Sequence, residues 1–158
     1  QPKDALFVAT QIANVARNNN YDIILCGRES IDFNGGLVCG LLGELLNIPS
    51  INVVTRFELN GSTIEATRDI DGGREDLTCS LPCVASAQKE LCEPRIPNMR
   101  GIMAARTKPL AVVEANNEND FAVYESFELP PAKSGVKMIA AENAGELIDL
   151  LRNEKKLI

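Results

Sequence analysis

The stretch Tyr21-Asp-Ile-Ile-Leu-Cys-Gly-Arg-Glu-Ser-Ile-Asp-Phe-Asn-Gly-Gly36 decides how this chain is read. Ile23, Ile24 and Leu25 form the short apolar run of a strand covered on both faces. Gly27 breaks that run where a backbone must turn or approach something closely. Asn34, Gly35 and Gly36 stand where a helix would start, and the segment from about Gly36 to Asn47 is apolar, of helical length, and stopped near Pro49. A strand whose carboxyl end opens onto a helix N-terminus offers an anion unpaired N–H groups and a positive dipole end. Ligands of open α/β sheets bind at that edge. The segment therefore points to a phosphate-bearing ligand. An ordinary βα turn has the same spacing, and neither G-x-G-x-x-G nor the P-loop pattern is present, so spacing alone favours the plain turn.

Upstream, Ala5, Val8, Ala9, Ile12, Ala13, Val15 and Ala16 fall at helical spacing over Asp4 to Asn18, with Asn18-Asn19-Asn20 as a stop. Downstream, Ile51 to Glu58 reads as a strand, Asn60-Gly61 as a hairpin signal, and Ser62 to Asp69 as its partner. Asp71-Gly72-Gly73 marks another turn before a strand over Arg74 to Ser80. Leu81 to Ala87 is expected to be a buried strand with Pro82 at its start. The prolines at 94 and 97 keep Glu93 to Met99 extended, with a short helix over Met99 to Arg106. Short strands are expected at Leu110–Val113 and Val136–Ala140, and a helix at Asn143–Lys155 capped by Glu142 or Asn143. Glu114 to Lys133 is polar and irregular, an arm running over a surface. The fold class is α/β: an incomplete doubly wound, mostly parallel sheet with a β-hairpin excursion and a C-terminal arm plus helix. Only one clear βα unit precedes the hairpins, fewer than such sheets usually carry.

Composition limits the chemistry. The 158 residues suit one core, and no apolar run is long enough to cross a membrane. Gln1-Pro-Lys-Asp lacks the charged-then-apolar pattern of a signal peptide. A net charge of −6 argues against nucleic acid as the main partner. With no histidine, Ser-His-Asp and Cys-His catalysis and His-ligated metals are excluded from this stretch. Cys26, Cys39, Cys79, Cys83 and Cys92 are odd in number with no C-x-x-C pair, so they read as reduced apolar residues. The alternative is a metal site from Cys79, Cys83 and Cys92.

Four blocks carry a family resemblance. They are Asp22-Ile-Ile-Leu-Cys-Gly-Arg-Glu-Ser-Ile-Asp32, Arg68-Asp-Ile-Asp-Gly-Gly73, Leu81-Pro-Cys-Val84, and Glu93-Pro-Arg95 followed by Gly101-Ile-Met-Ala-Ala105. In this order they resemble the β subunit of electron-transfer flavoprotein, over the C-terminal two-thirds of that subunit. The resemblance implies an adenine nucleotide α-hydrolase-like fold, with the family's first strands upstream of Gln1. It divides the chain into a partial nucleotide-binding α/β domain over residues 1–113 and an arm and helix over 114–158 that contact an α subunit.

The resemblance further implies an electron carrier, not an enzyme in itself. FAD would be held mainly by the α subunit, with AMP or a second FAD in the β-subunit site. Cys26, Gly27, Arg28, Glu29, Ser30, Ile31, Asp32, Asn34, Gly35 and Gly36 would surround that nucleotide's phosphate. Arg95, Ile96, Met99, Ile102 and Met103 would meet flavin dehydrogenases, with Met99 inserted into the partner. Asp69 would steer the mobile α-subunit domain. The family pattern has a threonine and a glutamine where this chain has Gly35 and Leu37. The implied location is cytoplasmic, or the mitochondrial matrix in a eukaryote, without membrane insertion. Two other classes remain open: a stand-alone nucleotide-binding enzyme of the ATP-pyrophosphatase type, and an interaction module without a nucleotide site.

Overall fold

A computed structural model describes residues 3–116, 121–133 and 135–158. The described residues separate into two units, 1–124 and 125–158. Positions 117–120 of the expected arm lie outside the described residues.

The first unit begins with α1, Ala5–Asn19. Asp4 caps it, its carboxylate accepting the Phe7 N–H at 2.7 Å. Asn20 ends it in the left-handed conformation. Small residues form its buried stripe: Ala9, Ala13 and Ala16, with Thr10 satisfied by the Leu6 carbonyl at 2.8 Å. They let α2, Val38–Leu46, approach closely. Leu42 and Cys39 of α2 join Ala9, Ala13 and Val84 in one core cluster. Asn47, also left-handed, closes α2 before Pro49.

Five strands make one open sheet in the order β1-β5-β2-β3-β4. They are β1 Ile23–Gly27, β2 Ser50–Asn60, β3 Thr63–Ile70, β4 Gly73–Ser80 and β5 Cys83–Ala87. β1 and β2 flank β5 in parallel, and β3 and β4 extend the sheet as antiparallel hairpins. This is the expected α/β sheet with a hairpin excursion. β5 is the strand buried on both faces: Val84 faces the helices, while Cys83 and Ala85 enter a second cluster with Ile51, Val54, Ile64 and Ala66. β1 is not covered as its sequence suggests. Among the described residues it pairs with β5 alone, and Leu25 is 61% exposed.

Ile51 and Val54 enter the same cluster although they are three residues apart. Strict alternation would send them to opposite faces. A β-bulge resolves this: Ile51 opposes Ala85 and Val54 opposes Ala87, so three residues of β2 span two of β5. Val53 absorbs the extra residue at φ +59, costly for a β-branched side chain. The β2–β3 turn also shifts by one residue from the expected Asn60-Gly61. Asn60 pairs with Thr63, and Gly61 takes the first central position at φ +63.

Three further expectations fail. Leu110–Val113 is not a strand; Leu110 and Val112 are exposed, and a strand needs a neighbour to pair with. Val136–Ala140 in the second unit is irregular for the same reason. The last helix is shorter and mixed: a 3₁₀ turn at Ala141–Asn143, α4 at Ala144–Asp149, and a wide π turn at Leu150–Glu154. Asn143 precedes α4 without a side-chain cap. No helix among the described residues is long and apolar enough to cross a membrane.

Candidate functional site

The parallel pairing of the three strands ends in one row, Gly27 of β1, Ala87 of β5 and Val54 of β2, beyond which β2 continues against β3. The Gln88 N–H closes the row onto the Val54 carbonyl at 2.9 Å. The bulge of β2 lies directly beneath it. The first turn of α2 lies beside this bulge: the Cys39 thiol reaches the Ile51 carbonyl at 3.7 Å, and a Cβ on Gly40 would fall 3.9 Å from Asn52 Nδ2. The α2 N-terminus thus stands at the sheet edge where α/β ligands bind.

The helix begins two residues later than expected, so Asn34, Gly35 and Gly36 are loop. Ser30 and Gly35 form an isolated bridge, the Ser30 N–H donating to the Gly35 carbonyl at 2.9 Å. Asn34 turns the loop at φ 51. Leu37 occupies the cap position and offers no side-chain acceptor. The first-turn N–H groups of α2 therefore lack a side-chain cap, as a phosphate would require. Arg28 and Glu29 are adjacent and exposed, 3.9 Å apart. The Asp32 carboxyl is held below its usual value, first by the Ser30 hydroxyl and also by the Phe33 N–H. Ile31 is fully exposed. Backbone donors and Arg28 fit a phosphate; the Glu29 and Asp32 carboxylates beside them do not help.

Cys26, the last core-facing residue of β1, packs against the cluster that contains Cys39. The Cys39 S–H bonds to Cys26 and pulls the Cys26 thiol down to about 7, while burial raises it. Cys39 is pushed upward by the same bond and by burial. Cys83, on the other face of β5, is pushed up to about 12, mostly by burial. Among the described residues no three His, Cys, Asp or Glu side chains are grouped to hold a metal ion, so the alternative from Cys79, Cys83 and Cys92 finds no support.

Sequence reasoning missed residues at this edge. Asn52 sits in the bulge with its Oδ1 buried and without a hydrogen-bond partner among the described residues. Ser86, 1% exposed, accepts the Val53 N–H at 2.8 Å and so holds the bulge. The available signal was one polar residue inside each apolar run, Ile51-Asn52-Val53 and Val84-Ala85-Ser86. Phe33 and Tyr124 were also missed. Their rings stack at 4.8 Å, bringing the arm back onto the loop. Asp4 assists, accepting the Phe121 and Ala122 N–H groups at 2.6 and 3.0 Å. Gln11 adds a two-way bond with the Asn116 backbone.

The other expected sites lie on other elements. Met99 opens α3, Met99–Ala105, where a short helix was expected, and Asn98 caps it. Met99, Ile102 and Met103 share one helix face by spacing, and Met99 is 73% exposed. Ile96 is almost wholly exposed just before the helix, and Arg95 is exposed as well. Asp69 on β3 is engaged within its own hairpin, accepting from Arg74 at 3.0 Å, and Arg74 also reaches Glu90 at 3.3 Å.

Residues 1–118 match the family model of the electron transfer flavoprotein domain, and the chain belongs to that family. Two curated relatives agree. The chain is 37% identical over 166 aligned positions to the electron transfer flavoprotein subunit beta of Bacillus subtilis (strain 168), covering 98% of this chain and 64% of that protein. It is 38% identical over 131 positions to the subunit beta of Syntrophomonas wolfei, covering 82% of this chain and 52% of that protein. The chain therefore spans less than two thirds of the length of these relatives.

Proposed function

We propose that this chain works as part of the β subunit of a heterodimeric electron-transfer flavoprotein. Family membership over residues 1–118 carries this reading. The α-subunit partner follows from the relatives' shared description as a subunit beta. FAD is held mainly by the α subunit and supplies the redox chemistry. This chain supplies the edge that takes the phosphate of AMP or of a second FAD. The amides at the start of α2 bind it, Arg28 balances its charge, and Asn52 Oδ1 has an unused acceptor for a ligand hydroxyl or amine. Lacking the threonine and glutamine side chains, the loop binds more weakly than the usual pattern by about 1.5–3 kcal/mol for each charged hydrogen bond lost. The exposed face of Met99, Ile102 and Met103 is the docking surface for flavin dehydrogenases, and Asp69 steers the α domain from the tip of the β3–β4 hairpin. A cytoplasmic or matrix location suits such a carrier.

Co-expression of the polypeptide carrying this chain with the α subunit of its organism tests the reading. Co-elution with a flavin absorption spectrum is the expected result. Separate elution, with flavin only in the α fraction or in neither, would overturn it.

A further inference from the structure

A clasp ties the start of α1 to the candidate phosphate loop. The Asp4 carboxylate uses both of its oxygens. Oδ1 accepts the Phe7 N–H at 2.7 Å and caps α1, while Oδ2 accepts the Phe121 and Ala122 N–H groups at 2.6 and 3.0 Å. These charge-assisted bonds fix residues 121 and 122 against the helix end. Two residues on, the Tyr124 ring lies on the Phe33 ring, with centroids 4.8 Å and planes 27° apart. Phe33 belongs to the loop between β1 and α2. The loop's own hydrogen bonds are local: Ser30 N–H to the Gly35 carbonyl at 2.9 Å, and Phe33 N–H to the Asp32 carboxylate at 3.0 Å. The stack instead carries the loop to a distant part of the same unit. Phe33 is 43% and Tyr124 37% exposed, so the pair is a surface contact and not part of a core.

We infer that Asp4, Phe33 and Tyr124 are positioning residues for the nucleotide's phosphate. Asp4 sets Phe121 and Ala122, these place Tyr124, and Tyr124 holds the loop through Phe33 in the form that turns its amides toward the ligand. The inference rests on the nucleotide reading above and names what steadies its loop, which lacks the threonine and glutamine side chains of the family pattern. The gain is preorganisation. A loop that adopts its binding form for only a fraction of the time binds with an affinity reduced by that fraction. One aromatic pair changes such a fraction by about two- to tenfold. None of the three side chains needs to touch the phosphate.

The test titrates AMP into the nucleotide-free full polypeptide by calorimetry and follows urea unfolding of the same samples. Phe33→Ala and Tyr124→Ala should each weaken AMP binding by about two- to tenfold. Phe33→Tyr keeps the ring and should bind like the wild type. Asp4→Ser keeps one helix-capping oxygen and loses the second. It should weaken AMP binding by itself and add nothing in the Tyr124→Ala background, because both act through one contact. Unchanged AMP affinity in the alanine variants, with only their urea midpoints lowered, would overturn the inference and leave the clasp a stabilising contact. Additive losses from Asp4→Ser and Tyr124→Ala would overturn it too. No AMP binding by the wild type would overturn the nucleotide reading itself, and this inference with it.

Discussion

Gly43→Ala measures how tightly α2 is seated against β2. A Cβ built on Gly43 falls 2.6 Å from Ser50 Cβ, 2.8 Å from Ser50 Oγ and 3.1 Å from the Ile48 carbonyl. Ser50 Cβ is fixed by its strand backbone and cannot rotate away, so α2 or the start of β2 must move. Overpacking of this kind costs about 1–3 kcal/mol. Alanine recovers about 1 kcal/mol of helix propensity relative to glycine. The net expectation is a loss of about 1 kcal/mol. Both of the nearest atoms belong to one side chain, so Ser50→Gly should remove the conflict. In that background Gly43→Ala should be neutral or stabilising by up to about 1 kcal/mol, a coupling of about 1–2 kcal/mol. Urea unfolding of the four proteins in the double-mutant cycle reads these differences. Equal effects of Gly43→Ala in both backgrounds would refute the close approach of α2 to the start of β2.

Leu42→Ala, at a fully buried position, should destabilise by about 2–5 kcal/mol in the same unfolding assay. Alkylation of Cys26 by iodoacetamide should rise with a midpoint near pH 7, and Cys39→Ala should move that midpoint toward the ordinary thiol value of 9.0. Folding follows with a definite sign: the depressed Cys26 contributes stability above pH 9 that is lost as pH falls through 7, whereas the raised Cys83 contributes below 9 and loses it toward 12. Met99→Glu should slow reduction of the flavin by the partner dehydrogenase at least about tenfold with flavin content unchanged, about 1.4 kcal/mol of docking. Unaltered stopped-flow rates would remove Met99 from the docking surface.

Local signals in the sequence identified the elements whose partners are close in the chain. The helix over α1, the glycine turns of β2–β3–β4 and the buried run of β5 were legible because caps, turns and periodicity are short-range properties. Coverage was not. Ile23-Ile24-Leu25 has the composition of an interior strand, yet β1 sits at an edge, since which strands pair is a non-local matter. Leu110–Val113 has strand composition and no neighbour, and remains irregular. The bulge was hidden too, because Asn52 and Val53 look like ordinary strand residues until Ile51 and Val54 must share a face. At the site, the loop from Gly27 to Gly36 and its place beside a helix N-terminus were readable. Asn52, Ser86 and the Phe33–Tyr124 stack were not, because β5 and the arm are distant in sequence from the loop.

The claim that matters most is that this sheet edge holds an adenine nucleotide's phosphate. Acid release and chromatography of the nucleotides from the purified heterodimer, set against its protein content, tests it directly. The account predicts one FAD for the α-subunit site and a second adenine nucleotide, AMP or FAD, for this chain, with the second lost selectively when Arg28→Glu reverses the charge of the loop. A flavin-containing heterodimer with no second adenine nucleotide would contradict it.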